Sequence, residues 1–342
     1  MKALAAAGWS CWSGLELLER AERGREGRGK VNRREFTQAV AAAALGAAPA
    51  RHAAALSRAA EGRAGEAGGD AEPFALSVML WTVERELPFE ERLAKVAEAG
   101  YRNVELVGEY AGWTAAEFAR ANTARRRLGL TFDATAGLKH GVADATVREA
   151  FLAELKDAMQ SMETLECPAM IVLSGNVVEG QTREQQHAAA VETLKQAARM
   201  VEGRRIAGEP VRLLLECIDP EENPHYFMTR ASEALEVVRA VGHPQVQFLY
   251  DIYHEQIAEG NLTEKLEKHI DVIGLIHVAD VPGRHAPGTG EIHYANLYRT
   301  LARLGYAHKV AMEFIPQGDA VKELRAARVG VGSAVALSQQ RL

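Results

Sequence analysis

The chain has 342 residues, 47% of them hydrophobic and 25% charged, with a net charge of −6. That balance belongs to a globular protein with a sizeable core, and the acidic surplus excludes the basic footprint of a nucleic-acid binder. Three scattered cysteines, Cys11, Cys167 and Cys217, form neither zinc-finger spacing nor a disulfide framework. No apolar run of about 18 residues occurs in the body of the chain, so no integral membrane domain is expected.

Residues 1–30 are rich in Ala, Gly, Arg and Glu and carry no lasting apolar period. They read as a disordered extension or as residues ahead of a true translation start near Val31. Residues 31–55 read as a twin-arginine export signal: Arg33-Arg34, then Phe36, then the weakly apolar Ala39–Ala48. Ala48-Pro49-Ala50 and Ala53-Ala54-Ala55 are candidate cleavage sites. The competing reading is an exposed Ala-rich helix with a chance arginine pair. Residues 56–72 read as a linker. The expected location is periplasmic or exported, by a route that carries folded cargo, and cytoplasmic if the signal does not operate.

From Pro73 onward apolar strand-like runs alternate with helical periods. Ala75–Leu80 is the first strand, ending at Trp81, and Phe89–Ala99 is a helix stopped by Gly100. Asn103–Val107 is the second strand, with Glu105 inside it, and Thr114 caps a helix over Ala115–Leu128. Leu130–Ala134 and Ala169–Leu173 are strands three and four, separated by a long helix over Ala145–Leu165; Thr182 opens a helix to about Glu202. Strands five to eight are Val211–Leu215, Val246–Tyr250, Val272–Ile276 and Lys309–Met312. Helices follow at Thr229–Val241, Leu262–His269 and Ala295–Leu304, with a last helix and tail over residues 320–342. Eight strand–helix units in residues 73–342 predict a (β/α)8 TIM barrel, an α/β fold of typically about 250 residues.

Strands five to eight share a feature. Each apolar run stops on a residue able to bind a metal: Glu216, Asp251, His277 and Glu313, spaced by 35, 26 and 36 residues. Any one of them alone would more readily be read as a salt bridge or loop hydrogen bond. Four at the same position on consecutive strands would converge at the C-terminal mouth, where such barrels carry their sites. Three carboxylates and one imidazole make an oxygen-rich set that suits one Mn2+ or Mg2+. Such a site would leave room for a 2-hydroxycarbonyl substrate, with Glu216 and Glu313 as a proton-transfer pair.

The residues from Phe74 to about Gly330 resemble the xylose-isomerase-like barrels, and within them the hydroxypyruvate isomerase group. The resemblance is carried by Leu-Leu-Glu216, Tyr-Asp251-Ile-Tyr-His254, Ile-His277-Val-Ala-Asp280-Val-Pro-Gly-Arg284-His285, Pro287-Gly-Thr-Gly-Glu291-Ile and Met-Glu313-Phe. It implies that Glu216 and Glu313 are both metal ligands and the catalytic acid/base pair, and that His254 and Arg284 contact substrate. Independently, Arg284 lies in a loop over the mouth, where a guanidinium would clamp a substrate carboxylate. His285 and Glu291 are weaker substrate-binding candidates, with Glu291 expected to hold the loop by pairing with Arg284. His140, Trp81 and Glu105 are candidate pocket walls. His187, His243, His269 and His308 are expected on the surface. Cys217 departs from the proline expected in the group, and Asp219 stands where an amide is more usual.

The expected reaction is isomerisation of a small hydroxy-keto acid through an enediolate, hydroxypyruvate to tartronate semialdehyde. The runner-up is a sugar isomerase or ketose 3-epimerase acting on an extracytoplasmic keto-sugar. An endonuclease IV-type phosphodiesterase would need more ligand histidines and a basic face, and a non-catalytic sugar-binding barrel is a third rival. The expected partner is a small molecule, with no nucleic acid, and association into a homo-oligomer is left open.

Overall fold

The computed structural model describes residues 73–339. The export-signal and linker readings, and residues 340–342 of the tail, lie outside them. Eight parallel strands close a barrel: β1 (Ala75–Met79), β2 (Asn103–Val107), β3 (Thr131–Ala136), β4 (Ala169–Leu173), β5 (Arg212–Glu216), β6 (Val246–Asp251), β7 (Ile273–Val278) and β8 (Lys309–Met312). Each pairs with its neighbours in chain order, and β1 closes on β8. The helices are α1 (Phe89–Glu98), α2 (Ala115–Arg127), α3 (Arg148–Leu165), α4 (Arg183–Val201), α5 (Ala231–Val241), α6 (Ile252–Ala258), α7 (Leu262–His269), α8 (Tyr294–Arg303) and α9 (Ala320–Gln339). The (β/α)8 expectation is met.

Local chemistry explains where the helices start and stop. Thr114 and Thr182 each form a capping box, with Glu117 and Gln185 respectively, which satisfies two otherwise unpaired N–H groups at the start of α2 and of α4. Gly242 ends α5 with φ 64°, a conformation that penalises a side chain with a Cβ. The strands are buried on both faces, between the barrel interior and the helical ring. Every residue of β5 and β7 is buried, and near-continuous apolar runs follow from that.

Three expectations need correction. Strand three runs from Thr131 to Ala136, later than Leu130–Ala134. A register shift against β2 leaves Asp133 without a partner residue there, and the strand lengthens past it. The helix expected from Ala145 begins with a 3-10 turn over Ala145–Val147, capped by the Asp144 side chain, and α3 proper starts at Arg148. A small hairpin pairs Arg205–Ile206 with Glu209–Pro210 ahead of β5. Its turn residues Ala207 and Gly208 both have positive φ, and segments of two residues leave no period to read. The four histidines expected on the surface are half-buried, and among the described residues none joins the site.

Candidate active site

The four strand-end residues come together. Asp251 and His277 are register partners, and His277 is level with Ala311, so Glu313 stands two residues further along β8. Glu216 is level with Leu249, two residues before Asp251. This stagger brings the donor atoms of all four within 4.8 Å of one another. Each residue is at most 2% exposed.

Burying three carboxylates beside an imidazole demands compensation. Glu313 has it: its Oε1 accepts from Trp81 Nε1 at 2.7 Å, and its Oε2 lies 2.7 Å from Arg284 Nη2. Burial alone would raise the Glu313 carboxyl, but Arg284 and His277 outweigh it and hold it well below the carboxylate range. Glu216 is the opposite case. Neither of its carboxylate oxygens has a hydrogen-bond partner. Burial pushes it up to about 8, with Glu313 adding to the rise and His277 opposing it.

His277 is oriented from behind. Its Nε2 meets Glu105 Oε2 at 2.8 Å, both residues being fully buried. Its Nδ1 faces the cluster, 2.6 Å from Glu313 Oε2 and 3.8 Å from Glu216 Oε1. The 2.6 Å approach lacks hydrogen-bond alignment, so Nδ1 has no hydrogen-bond partner, and that Oε2 has the ion pair with Arg284 but no aligned hydrogen bond. Burial lowers the imidazole pKa, yet Glu313 and Glu105 carry it well above its ordinary value. Unsatisfied donor atoms aimed at a common point, with a carboxylate behind the histidine, are the features of a metal centre. Glu216, Asp251, His277 and Glu313 fit a divalent cation.

A second trio, Asp219, Glu222 and His254, adjoins the first. His254 Nδ1 is 2.6 Å from Asp219 Oδ2, and its Nε2 is 3.3 Å from Asp251 Oδ2. Burial lowers the His254 pKa, but Asp251, Glu222 and Asp219 outweigh that and raise it to about 9. Asp219 therefore uses its charge to hold His254, a role an amide fills less strongly.

Arg284 joins the two groups. Nη2 bonds Asp251 Oδ2 at 2.8 Å, Nη1 bonds Glu222 Oε2 at 3.1 Å and lies 3.0 Å from His254 Nε2, and Nε donates to the Glu313 carbonyl at 3.2 Å. Its guanidinium carbon also lies 4.9 Å from the centre of the Tyr253 ring. The backbone of Arg284 is left-handed, φ 57°, a conformation costly for a residue with a side chain and met at functional loops. The other loop candidates are separate from the cluster. His285 Nδ1 pairs with the Ile315 carbonyl at 2.9 Å. Glu291 is exposed and accepts from Gln256, not from Arg284. The loop is held instead by buried Asp280, whose carboxylate accepts from the N–H groups of Val281, Gly288 and Ile292. A Cβ at Gly290 would lie 2.0 Å from the Val281 carbonyl oxygen, so the loop needs glycine there.

Reading along the sequence gave Trp81 and Glu105 only as walls and did not single out Glu222. Trp81 and Glu105 lie on the opposite half of the barrel, more than 170 residues from the groups they bond. Glu222 has one signal, its place in the polar turn after the β5 ligand.

Residues 93–328 match the model of the xylose isomerase-like TIM barrel family. The hydroxypyruvate isomerase of Escherichia coli K12 is 32% identical over 247 residues, covering 70% of this chain and 93% of that one. A 2-oxo-tetronate isomerase of Pectobacterium atrosepticum is 29% identical over 244 residues, covering 70% and 90%. Among solved structures, an AP endonuclease family 2 protein from Brucella melitensis superposes with a TM-score of 0.65 at 28% identity, covering 74% of this chain and 97% of that one. The chain belongs to the xylose isomerase-like TIM barrel family. It is an isomerase-type enzyme, similar to hydroxypyruvate isomerases.

Proposed function

We propose that the protein isomerises a small 2-oxo-3-hydroxy acid by proton transfer between C3 and C2, with hydroxypyruvate and tartronate semialdehyde as the pair. The observation that carries this reading is the pair Glu216 and Glu313. They come from strands three places apart in the ring, are wholly buried, and each aims at least one unsatisfied carboxylate oxygen at the same point. Their partners also differ: Glu313 accepts from Trp81 and is paired with Arg284, whereas neither carboxylate oxygen of Glu216 has a hydrogen-bond partner, which suits two roles in one proton transfer.

The cation, Mn2+ or Mg2+ by the hardness of the donor set, would be held by Glu216, Asp251, His277 and Glu313 and would supply charge stabilisation to the substrate oxygens as C3 loses its proton. One glutamate takes the C3 proton, the C3–H electrons form the C2=C3 bond of the enediolate, a proton is delivered to C2, and the C3 hydroxyl proton passes to the C2 oxygen as the C3 carbonyl forms. His254 and Arg284 lie beside the ligands, His254 Nε2 3.3 Å and Arg284 Nη2 2.8 Å from Asp251 Oδ2. Burial of the cluster excludes bulk water that would otherwise quench the enediolate.

The test is proton exchange in D2O, followed by NMR, with residues 73–342 loaded with Mn2+. Exchange at C3 of hydroxypyruvate, with a new aldehyde signal, supports the reading. Exchange only with ketoses moves the assignment to sugar isomerisation or 3-epimerisation. Export is a separate part of the proposal, supported by Arg33-Arg34 and the Ala-rich run. Full-length protein that fractionates with the cytoplasm in a host with an active twin-arginine system refutes it.

A further inference from the structure

A cavity of about 340 Å3 opens between the β3–α3 and β4–α4 loops, lined among others by Lys139, His140, Asp144, Leu173, Ser174 and Asn176. One of its lining residues, Leu173, is the register partner of Glu216 on the neighbouring strand. Register partners on adjacent parallel strands point to the same side of the sheet, so Leu173 faces the mouth alongside Glu216.

The cavity wall is rigidly built. Val142 N–H and Ala143 N–H donate to the carbonyls of Leu173 and Ser174 at 2.9 and 3.0 Å. A Cβ on Gly141 would lie 2.4 Å from both Gly175 N and Ser174 O, so the two loops touch backbone to backbone. Glu154 of α3 pins the Lys139–His140 turn, accepting from both backbone N–H groups and contacting His140 Nδ1 at 2.9 Å. On the β5 side, Tyr226 hydroxyl lies between Ser174 N and the Glu216 carbonyl, tying the wall to the strand that carries the ligand.

Within this fixed turn Lys139 is exposed, and no carboxylate of the described residues lies within ion-pair distance of its ammonium group. Arg284 presents the contrast, with its guanidinium already engaged by Asp251, Glu313, Glu222 and His254. A guanidinium whose N–H donors are taken by acidic partners is poorly placed to bind one more carboxylate, while an unpaired ammonium beside an open cavity is well placed to.

We propose that this cavity is the subsite for the carboxylate of the substrate and that Lys139, not Arg284, supplies the cation that selects an acid over a neutral ketose. The inference rests on the 2-oxo acid reading above. Arg284 then serves to orient Asp251 and Glu313.

The test compares hydroxypyruvate with dihydroxyacetone, which has a hydroxymethyl group in place of the carboxylate. Wild-type, Lys139→Met and Lys139→Arg proteins, all Mn2+-loaded, are assayed for kcat and KM on both. The expected result is a fall of about ten- to hundredfold in the kcat/KM ratio of hydroxypyruvate over dihydroxyacetone in Lys139→Met, carried by KM, with Lys139→Arg keeping most of the ratio. An unchanged ratio in Lys139→Met while wild type still turns over hydroxypyruvate overturns the subsite and leaves the functional reading standing. Wild-type protein inert toward hydroxypyruvate overturns the functional reading itself, and the subsite with it.

Discussion

The two halves of the barrel divide the work. Strands β5 to β8 each end on a donor that faces the site, and these four side chains lie in a continuous arc of the ring. Strands β1 to β4 supply none of the four. They supply what holds the four in place: Trp81 on Glu313, Glu105 behind His277, and the two loops that frame the adjoining cavity. A set of three buried carboxylates is stable as a site only when another wall of the barrel fixes its tautomers and orientations. The half without ligands is therefore still part of the centre, and the centre can be attacked from either side.

The largest effect is expected on the ligand half. Glu216→Gln and Glu313→Gln keep the shape and remove the exchangeable proton and an anionic ligand, so kcat should fall by about 10²–10⁴-fold. D2O exchange at the substrate carbon measures this directly, and a variant that retains wild-type exchange would remove that residue from the proton transfer. On the supporting half, Glu105→Gln leaves every ligand in place but withdraws the charge behind His277 Nε2. Mn2+ affinity should weaken about 10–100-fold, read by titration calorimetry or electron paramagnetic resonance of the bound ion. Unaltered affinity would mean that the two halves are independent.

Trp81→Phe is a finer probe, since it removes one N–H donor from Glu313 Oε1 and keeps most of the ring. A hydrogen bond to a charged group contributes roughly 1.5–3 kcal/mol, so kcat/KM should fall about 10- to 150-fold, with the fold intact by circular dichroism. The smallest effect concerns stability. Burial, with Glu105 adding and Lys309 opposing, pushes the Asp133 carboxyl up to about 8, and Ser77 Oγ donates to it at 2.8 Å. A carboxyl whose folded pKa is raised binds its proton more tightly folded than unfolded. Its contribution is therefore present in full below the unfolded value and is lost as pH rises through about 8. Asp133→Asn should stabilise the fold at pH 8 more than at pH 5, by an increment on the order of 1–3 kcal/mol read from melting temperatures at the two pH values. An equal shift at both pH values would mean that Asp133 does not titrate in that window.

Much of this molecule was legible along the chain because its signals are local. Apolar runs that are buried on both faces, capping residues such as Thr114 and Thr182, and the glycine after α5 mark strands and helix ends without reference to distant residues. Repetition made the ligands legible. One acid after an apolar run is ordinary, but Glu216, Asp251, His277 and Glu313 repeat one position on four successive units, and parallel topology carries that position to one mouth. The stagger that closes a barrel then sets their depths.

What only the tertiary structure decided are the pairings across the ring and between loops. Glu105 and His277 are 172 residues apart, Trp81 and Glu313 are 232 apart, and no periodicity links them. The expected Glu291–Arg284 pair failed for the same reason. Glu291 reaches Gln256 on α6, and Arg284 turns inward on a left-handed backbone to meet acids contributed by three different strands and loops. Sequence periodicity records which face of an element is buried. Which charged group ends up opposite another depends on how eight strands close into a ring, and that closure is settled by the packing of the whole barrel.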